Sequence, residues 1–296
     1  MYCRLTAADI VQKNHRHGVI IMVVKTIRKF MTKDGVRLDI SGAVPENART
    51  CLIVWPCMGG AVQMYRVPVE KFTDQGCACI LYNPRGHGRS EGELEIQTAL
   101  NDLDEILQEN VPSAIPLVIV GHSAGANASL QFGVRCLPPK QFVLIAPVLD
   151  SRESLFYMYQ RKTIDEFVSI LCAYVQDDTL VRKVLVDDKW LDADLWKARH
   201  YTHLLDHVHA RMRIGTFLER LFIPGHNAFA QLERFSAQTR IFMAGEDTWY
   251  PAATTRRLAD KYGIPVETLP EAQNHFFTGA WDSMWTKILN LILLPG

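Results

Sequence analysis

The sequence predicts an α/β fold: a mostly parallel β-sheet with helices on both faces, interrupted by one helical insertion. Three observations carry this expectation. Short apolar runs rich in β-branched residues alternate with amphipathic segments between residues 51 and 146, and strands that alternate with helices over short connections build parallel sheets. The alternation stops after Pro147 and resumes at Thr239. The intervening residues 149–238 have helix-like composition and no clear buried strand, too long a stretch to be a loop.

The elements follow in order. The first 24 residues fit no single pattern. Residues 25–32 and 36–41 alternate polar and apolar around Asp34-Gly35, a hairpin signal because this pair tolerates the positive φ of a tight turn. Residues 51–55 read as a buried strand, 67–75 as a helix closed by Gly76, and 77–82 as the next strand. Residues 96–109 are an amphipathic helix with Leu100, Leu103, Ile106 and Leu107 on one face. A strand at 117–120, a helix at 124–135 and a strand at 142–146 follow. Beyond the insertion come a strand (239–244), a helix (252–262), a strand (266–269) and a helix (280–294). The expected organisation is a core of residues 1–148 and 239–296, with 149–238 as a helical lid over the carboxyl ends of the strands.

Composition limits the functions available. A chain of 296 residues allows one large domain with an insertion. Its 48% hydrophobic and 22% charged content is that of ordinary globular proteins. Thirty-two basic and 32 acidic residues give zero net charge, with no footprint for nucleic acid. No apolar run reaches membrane-spanning length; residues 19–24 are far too short. They follow a basic stretch at 13–17 without a small-residue cleavage site, so no signal peptide is expected. The seven cysteines are odd in number and match no disulfide or zinc spacing, which suits a reduced, cytoplasmic setting. Cys77 and Cys79 are expected on opposite faces of their strand.

The chemistry centres on Gly121-His122-Ser123-Ala124-Gly125, where a strand becomes a helix. A turn this tight strains the serine backbone, and the flanking glycines let strand and helix approach closely. The strain lifts the hydroxyl clear of the sheet, and the helix N-terminus offers unpaired N–H groups to a developing oxyanion. A plain turn containing these residues is the alternative. A serine hydroxyl needs a base. His275, in the loop between the last strand and the last helix, is the candidate among ten histidines. A carboxylate must orient the imidazole. Asp247, just past the strand 239–244, is favoured; Glu246 beside it and Asp150 are its rivals.

The order Ser123, Asp247, His275 on this sheet pattern resembles the α/β-hydrolase fold family, over residues 25–148 and 239–296. Tyr82-Asn83-Pro84-Arg85-Gly86-His87-Gly88-Arg89-Ser90 is similar to that family's Asp-x-Arg-Gly-x-Gly-x-Ser loop, with Asn83 in place of Asp. Trp55-Pro56-Cys57-Met58-Gly59-Gly60 stands where the family carries a His-Gly oxyanion loop. The resemblance implies that the amides of Met58 and Ala124 stabilise the oxyanion, with Cys57 as the alternative first donor. It implies a serine hydrolase acting on a small-molecule acyl ester, or on a thioester by hydrolysis or acyl transfer, without cofactor or metal. A binding protein on the same fold is the reading from another class.

Other signals rank lower. His200, His203 and His207 would share one helix face, as zinc ligands can, but solvated lid histidines fit better. His122 is treated as structural, Cys57 as a small buried residue, and the glycosylation match Asn127-Ala128-Ser129 as a buried helix segment. The insertion's aromatic residues, Tyr157 among them, pack the lid or line an apolar pocket.

Overall fold

The computed structural model describes residues 8–15, 18–113, 115–135, 140–160 and 229–293. Among the described residues nine strands form one sheet: β1 (Ala8–His15), β2 (Gly18–Ile27), β5 (Ile40–Pro45), β7 (Cys77–Tyr82), β6 (Thr50–Trp55), β8 (Leu117–His122), β9 (Gln141–Ile145), β10 (Thr239–Ala244) and β11 (Val266–Leu269), in that spatial order. The strands from β7 to β11 run parallel, while β1, β2 and β5 continue the sheet antiparallel. The ambiguous N-terminal segment is thus a hairpin. Its β2 carries an unbroken apolar run with neither strand nor helix periodicity, so periodicity alone does not assign it.

Helices cover both faces. Helix α2 (Ile96–Asn110), α3 (Ala124–Arg135) and α6 (Ala252–Tyr262) bury their apolar stripes with Ile53, Ile80, Ile119 and Leu144. Helix α1 (Val69–Thr73) and α7 (Trp281–Leu293) pack on the other face with Leu52, Val54, Val120 and Ile145. The side chains alternate between these two cores because successive strand residues point to opposite sides. The same rule corrects the expectation for Cys77 and Cys79. Residues two apart face the same way, and both thiols lie in the second core. Helix α1 is also shorter than 67–75: Val67 precedes Pro68, which disfavours helical backbone there. The Asp34-Gly35 turn joins a separate two-stranded ribbon, β3 (Phe30–Met31) with β4 (Arg37–Leu38).

Helices α4 (Ser151–Gln160) and α5 (Phe229–Arg234) flank the central part of the insertion. Asp150 caps α4, its Oδ1 accepting from the Glu153 amide at 2.8 Å. Glu153 ties α4 to α6 through Thr254 and, at 3.0 Å, Arg257. Residues 161–228, with His200, His203 and His207, lie outside the described residues. No described helix is long and apolar enough to cross a membrane.

Between β6 and β8 the chain order reverses, since β6 connects to β7 on one side and β8 lies on the other. Ligands of open α/β sheets bind at the carboxyl ends beside such a switch. The loop after β7 is anchored there by Arg85, whose guanidinium donates to both carboxylate oxygens of Asp102 at 2.7 Å and to Asp34 at 2.7 and 2.8 Å. The Arg85 bonds hold the Asp34 carboxyl down at about 2; burial pushes Asp102 up. Asp102 is 2% exposed, so Arg85→Ala leaves a buried carboxylate without its cation. The expected cost is about 3 kcal/mol of folding stability, read by urea denaturation, because breaking one side of a buried pair is far costlier than losing a surface one.

Candidate active site

Ser123 directly follows the strand β8 in left-handed backbone, φ 57°, and its N–H donates to the Ile145 carbonyl at 2.9 Å. That conformation is strained for any residue with a Cβ. The two glycines make it possible. A Cβ on Gly121 would overlap Ser129 Oγ, and one on Gly125 would overlap the Pro56 carbonyl. Strand, helix and the loop after β6 therefore close on Ser123 at backbone distance.

Asp247 follows β10 and divides its two oxygens. Oδ1 accepts the amides of Trp249 at 2.8 Å and Tyr250 at 3.0 Å, a turn that folds the loop back on its own acid. Oδ2 accepts Nδ1–H of His275 at 2.9 Å. Burial raises the Asp247 carboxyl, but His275 and the two amides more than offset this, so it lies below its ordinary value. Of the rivals, Glu246 is exposed and Asp150 is occupied as a helix cap. His275 is 1% exposed, and Asn274 fastens its loop by accepting from the Phe276 amide at 3.0 Å. Trp249 stacks on the imidazole, with ring centres 5.3 Å apart and planes 4° apart. The other ring nitrogen, Nε2, is buried and makes no hydrogen bond among the described residues.

Met58 and Ala124, the expected oxyanion donors, line one narrow cavity of about 10 Å³, room for about a single water. Their neighbours' amides are occupied. Cys57 N–H donates to Tyr65 Oη at 2.7 Å, and Gly59 N–H donates to His87 Nε2 at 3.1 Å. Cys57 is thereby removed as the alternative donor. Its thiol is buried and pushed up to about 11, which makes it a packing residue. Asn83, the departure from the expected loop pattern, accepts from the Val62 amide at 2.8 Å and donates to Asp39 at 3.1 Å. An aspartate there would face that carboxylate without a proton to offer. Asn127 is buried, its Nδ2 donating to the Val148 carbonyl at 3.0 Å.

Sequence reasoning missed what His122 and Tyr65 do. Burial drops His122 to about 3, so the ring is neutral. One nitrogen then donates and the other accepts. Nε2 lies 2.9 Å from the His275 carbonyl and must carry the proton. Nδ1 accepts from Tyr65 O–H at 3.0 Å, and that oxygen accepts from Cys57 N–H. The chain joins the loop after β6, the Ser123 turn and the His275 loop. Tyr65→Phe removes its centre and leaves two buried groups unpaired, at about 1–3 kcal/mol each. Both thermal stability and kcat should fall, with kcat down roughly tenfold if these loops drift apart. A variant as active and stable as the parent would deny the chain that role.

Tyr157 and Tyr250 were also missed as site contacts. Tyr157 Oη donates to the Asp247 carbonyl at 3.2 Å, so α4 braces the acid's loop. Tyr250 Oη lies 3.2 Å from Ser123 Oγ, while its ring meets His275 edge-on at 4.6 Å between centres. Tyr250 thus stands against both the serine and the histidine. The signal that could have found it is its place three residues after Asp247, within reach of a turn on that carboxylate.

A parallel sheet with a strained serine at the switch point and a histidine–aspartate pair at neighbouring strand ends defines the α/β-hydrolase class. The chain belongs to the serine aminopeptidase (S33) family of hydrolases, whose model matches residues 46–276. Among solved structures, it is similar to a hydrolase from Pseudomonas aeruginosa PA01, at 16% identity over 90% of this chain and 98% of that one, TM-score 0.59. A structure reported with carboxylesterases of the thaumarchaeon Nitrososphaera gargenis matches at 14% identity over 89% and 97%, TM-score 0.59. The thioesterase domain of the curacin biosynthetic pathway matches at 15% over 92% and 99%, TM-score 0.55. These likenesses establish the fold. Among curated proteins no sequence matches significantly.

Proposed function

We propose that the chain is a serine hydrolase that cleaves a carboxylic ester through an acyl-Ser123 intermediate. The observation that carries this reading is the His275–Asp247 pair, with Asp247 Oδ2 fixing Nδ1–H and leaving Nε2 a buried acceptor, while the strained Ser123 and the His275 ring both meet Tyr250. Ser123 Oγ attacks the carbonyl carbon and His275 Nε2 takes its proton. The carbonyl oxygen, now anionic, is met by the amides of Met58 and Ala124. Among the described residues neither amide donates elsewhere, as an oxyanion site requires. The intermediate collapses, and His275 returns the proton to the leaving alcohol. Water, deprotonated by the same ring, then releases the acid from Ser123.

Thioester cleavage or acyl transfer follows the same steps with another leaving group or acceptor, and the thioesterase among the structural neighbours keeps that reading in view. The family's aminopeptidase name adds an amide. Residues 149–238 serve as the lid in this reading, with 1–148 and 239–296 as the core. The buried free thiols of Cys51, Cys57, Cys77 and Cys79 suit a reducing cytoplasm.

The test is turnover of p-nitrophenyl esters from acetate to palmitate, acyl thioesters and an aminoacyl p-nitroanilide, with Ser123→Ala alongside. Ester turnover that vanishes in the variant is the expected result. Preference for the thioester or anilide reassigns the substrate. No turnover, and no labelling of Ser123 by a fluorophosphonate, overturns the enzyme reading for this serine.

A further inference from the structure

The geometry points to Tyr250 as a further catalytic residue, one whose phenolic O–H donates to Ser123 Oγ and stabilises the negative charge that oxygen carries during the reaction. This rests on the reading of Ser123 as the nucleophile. Four observations lead to it.

The phenol touches the reacting atom itself, 3.2 Å from Oγ, and both side chains are buried, Tyr250 at 7% and Ser123 at 5% exposure. Tyr250 is also held at its backbone. Its N–H donates to Asp247 Oδ1 at 3.0 Å, and its ring lies edge-on to His275. The residue is therefore fixed by the acid and the base of the site and aimed at the nucleophile. Burial raises the phenol above its ordinary value, so it keeps its proton. A phenol is a stronger acid and a poorer acceptor than an aliphatic hydroxyl, which sets the direction of this bond: Tyr250 donates and Oγ accepts. Finally, His275 Nε2 is buried with no hydrogen-bond partner among the described residues. With Oγ accepting from Tyr250, the serine's own proton stays free to turn to that nitrogen.

The consequence is symmetric about the acyl-enzyme. During attack, the Oγ proton moves to His275 Nε2 while the Oγ lone pair forms the bond to the carbonyl carbon. During deacylation, the carbon–Oγ bond breaks, its electron pair returns to Oγ, and His275 gives the proton back. Oγ carries partial negative charge at both points, and a hydrogen bond to a charged oxygen is about twice as strong as one to a neutral oxygen. The Tyr250 proton stays on Tyr250 throughout. This role differs from that of Met58 and Ala124, whose amides address the carbonyl oxygen.

The opposite function for the same contact is a plug, in which Tyr250 occupies the serine and must leave before reaction. Tyr250→Phe separates the two by sign. It keeps the ring against His275 and removes only the donor. We expect it to slow fluorophosphonate labelling of Ser123, and both acylation and deacylation of a p-nitrophenyl ester, by roughly tenfold to a hundredfold, with KM little changed. Labelling as fast as the parent, or faster, overturns the inference while leaving Ser123 as nucleophile. A parent enzyme whose Ser123 is not labelled overturns the underlying reading and this one together. Should Tyr250→Phe fail to fold, 3-fluorotyrosine at position 250 carries the test: a near-isosteric, more acidic donor should speed both steps a few-fold. An unchanged rate overturns the inference.

Discussion

Ser123→Ala is expected to lower kcat on the order of 10⁴- to 10⁶-fold, His275→Ala to do nearly the same, and the double variant to do no worse than either alone. The reason is that, in the proposed mechanism, the two side chains perform one act. Without the base, the hydroxyl keeps its proton and remains a weak nucleophile. Without the hydroxyl, the buried Nε2 has nothing to deprotonate but water. Each single variant already removes the whole step, so the second change has nothing left to remove. A residual rate above background should survive in all three, because the proposed oxyanion donors, the Met58 and Ala124 amides, are left in place. The measurement is kcat on the best ester of the panel, with enzyme concentration set by fluorophosphonate titration of the parent. Additive losses would mean that His275 and Ser123 contribute separately, and the proposed mechanism would not stand.

How much of the fold and of the candidate site is legible in the sequence depends on how local each cause is. Ser123 is legible because the glycines that admit its strained turn lie two residues to either side: a Cβ at Gly121 or Gly125 has no room. Asp247 and His275 are legible because each follows a strand, and a strand's carboxyl end is where a parallel sheet presents its site. The parallel strands are legible from their continuous apolar runs. Tyr65 is not, because its partners Cys57 and His122 lie 8 and 57 residues away, and no periodicity encodes such a pairing. His122 reads as merely structural, yet its two nitrogens join loops that are remote in sequence. The Cys77–Cys79 error is of another kind: the strand period is there in the sequence and points the two thiols the same way.

Asp247→Asn should be the sharper probe of the histidine's partner, with an expected kcat loss of about 10³- to 10⁴-fold despite nearly unchanged shape. The amides of Trp249 and Tyr250 both donate toward Oδ1 and so fix the amide orientation of the new side chain. Its oxygen must take those two bonds. Its NH₂ then faces His275 Nδ1, where Asp247 Oδ2 now accepts at 2.9 Å. Two donors cannot face each other at that distance, so the imidazole moves its proton to Nε2 and Nδ1 accepts. An Nε2 that already carries a proton cannot take one from Ser123. Asp247→Ala, though the larger deletion, leaves the ring free to keep a working tautomer and should lose less activity than Asp247→Asn. The fold should respond in the reverse order, since Asn keeps the turn that Ala abandons. Acid sensitivity gives an independent check. Folding lowers the Asp247 carboxyl, so the ion contributes stability above about pH 4 and loses it as pH falls through the lowered folded value. Asp247→Asn should erase that part of the acid transition. Should Asn prove more active than Ala, the carboxylate acts by filling space, and its assignment as the group that sets the His275 tautomer fails.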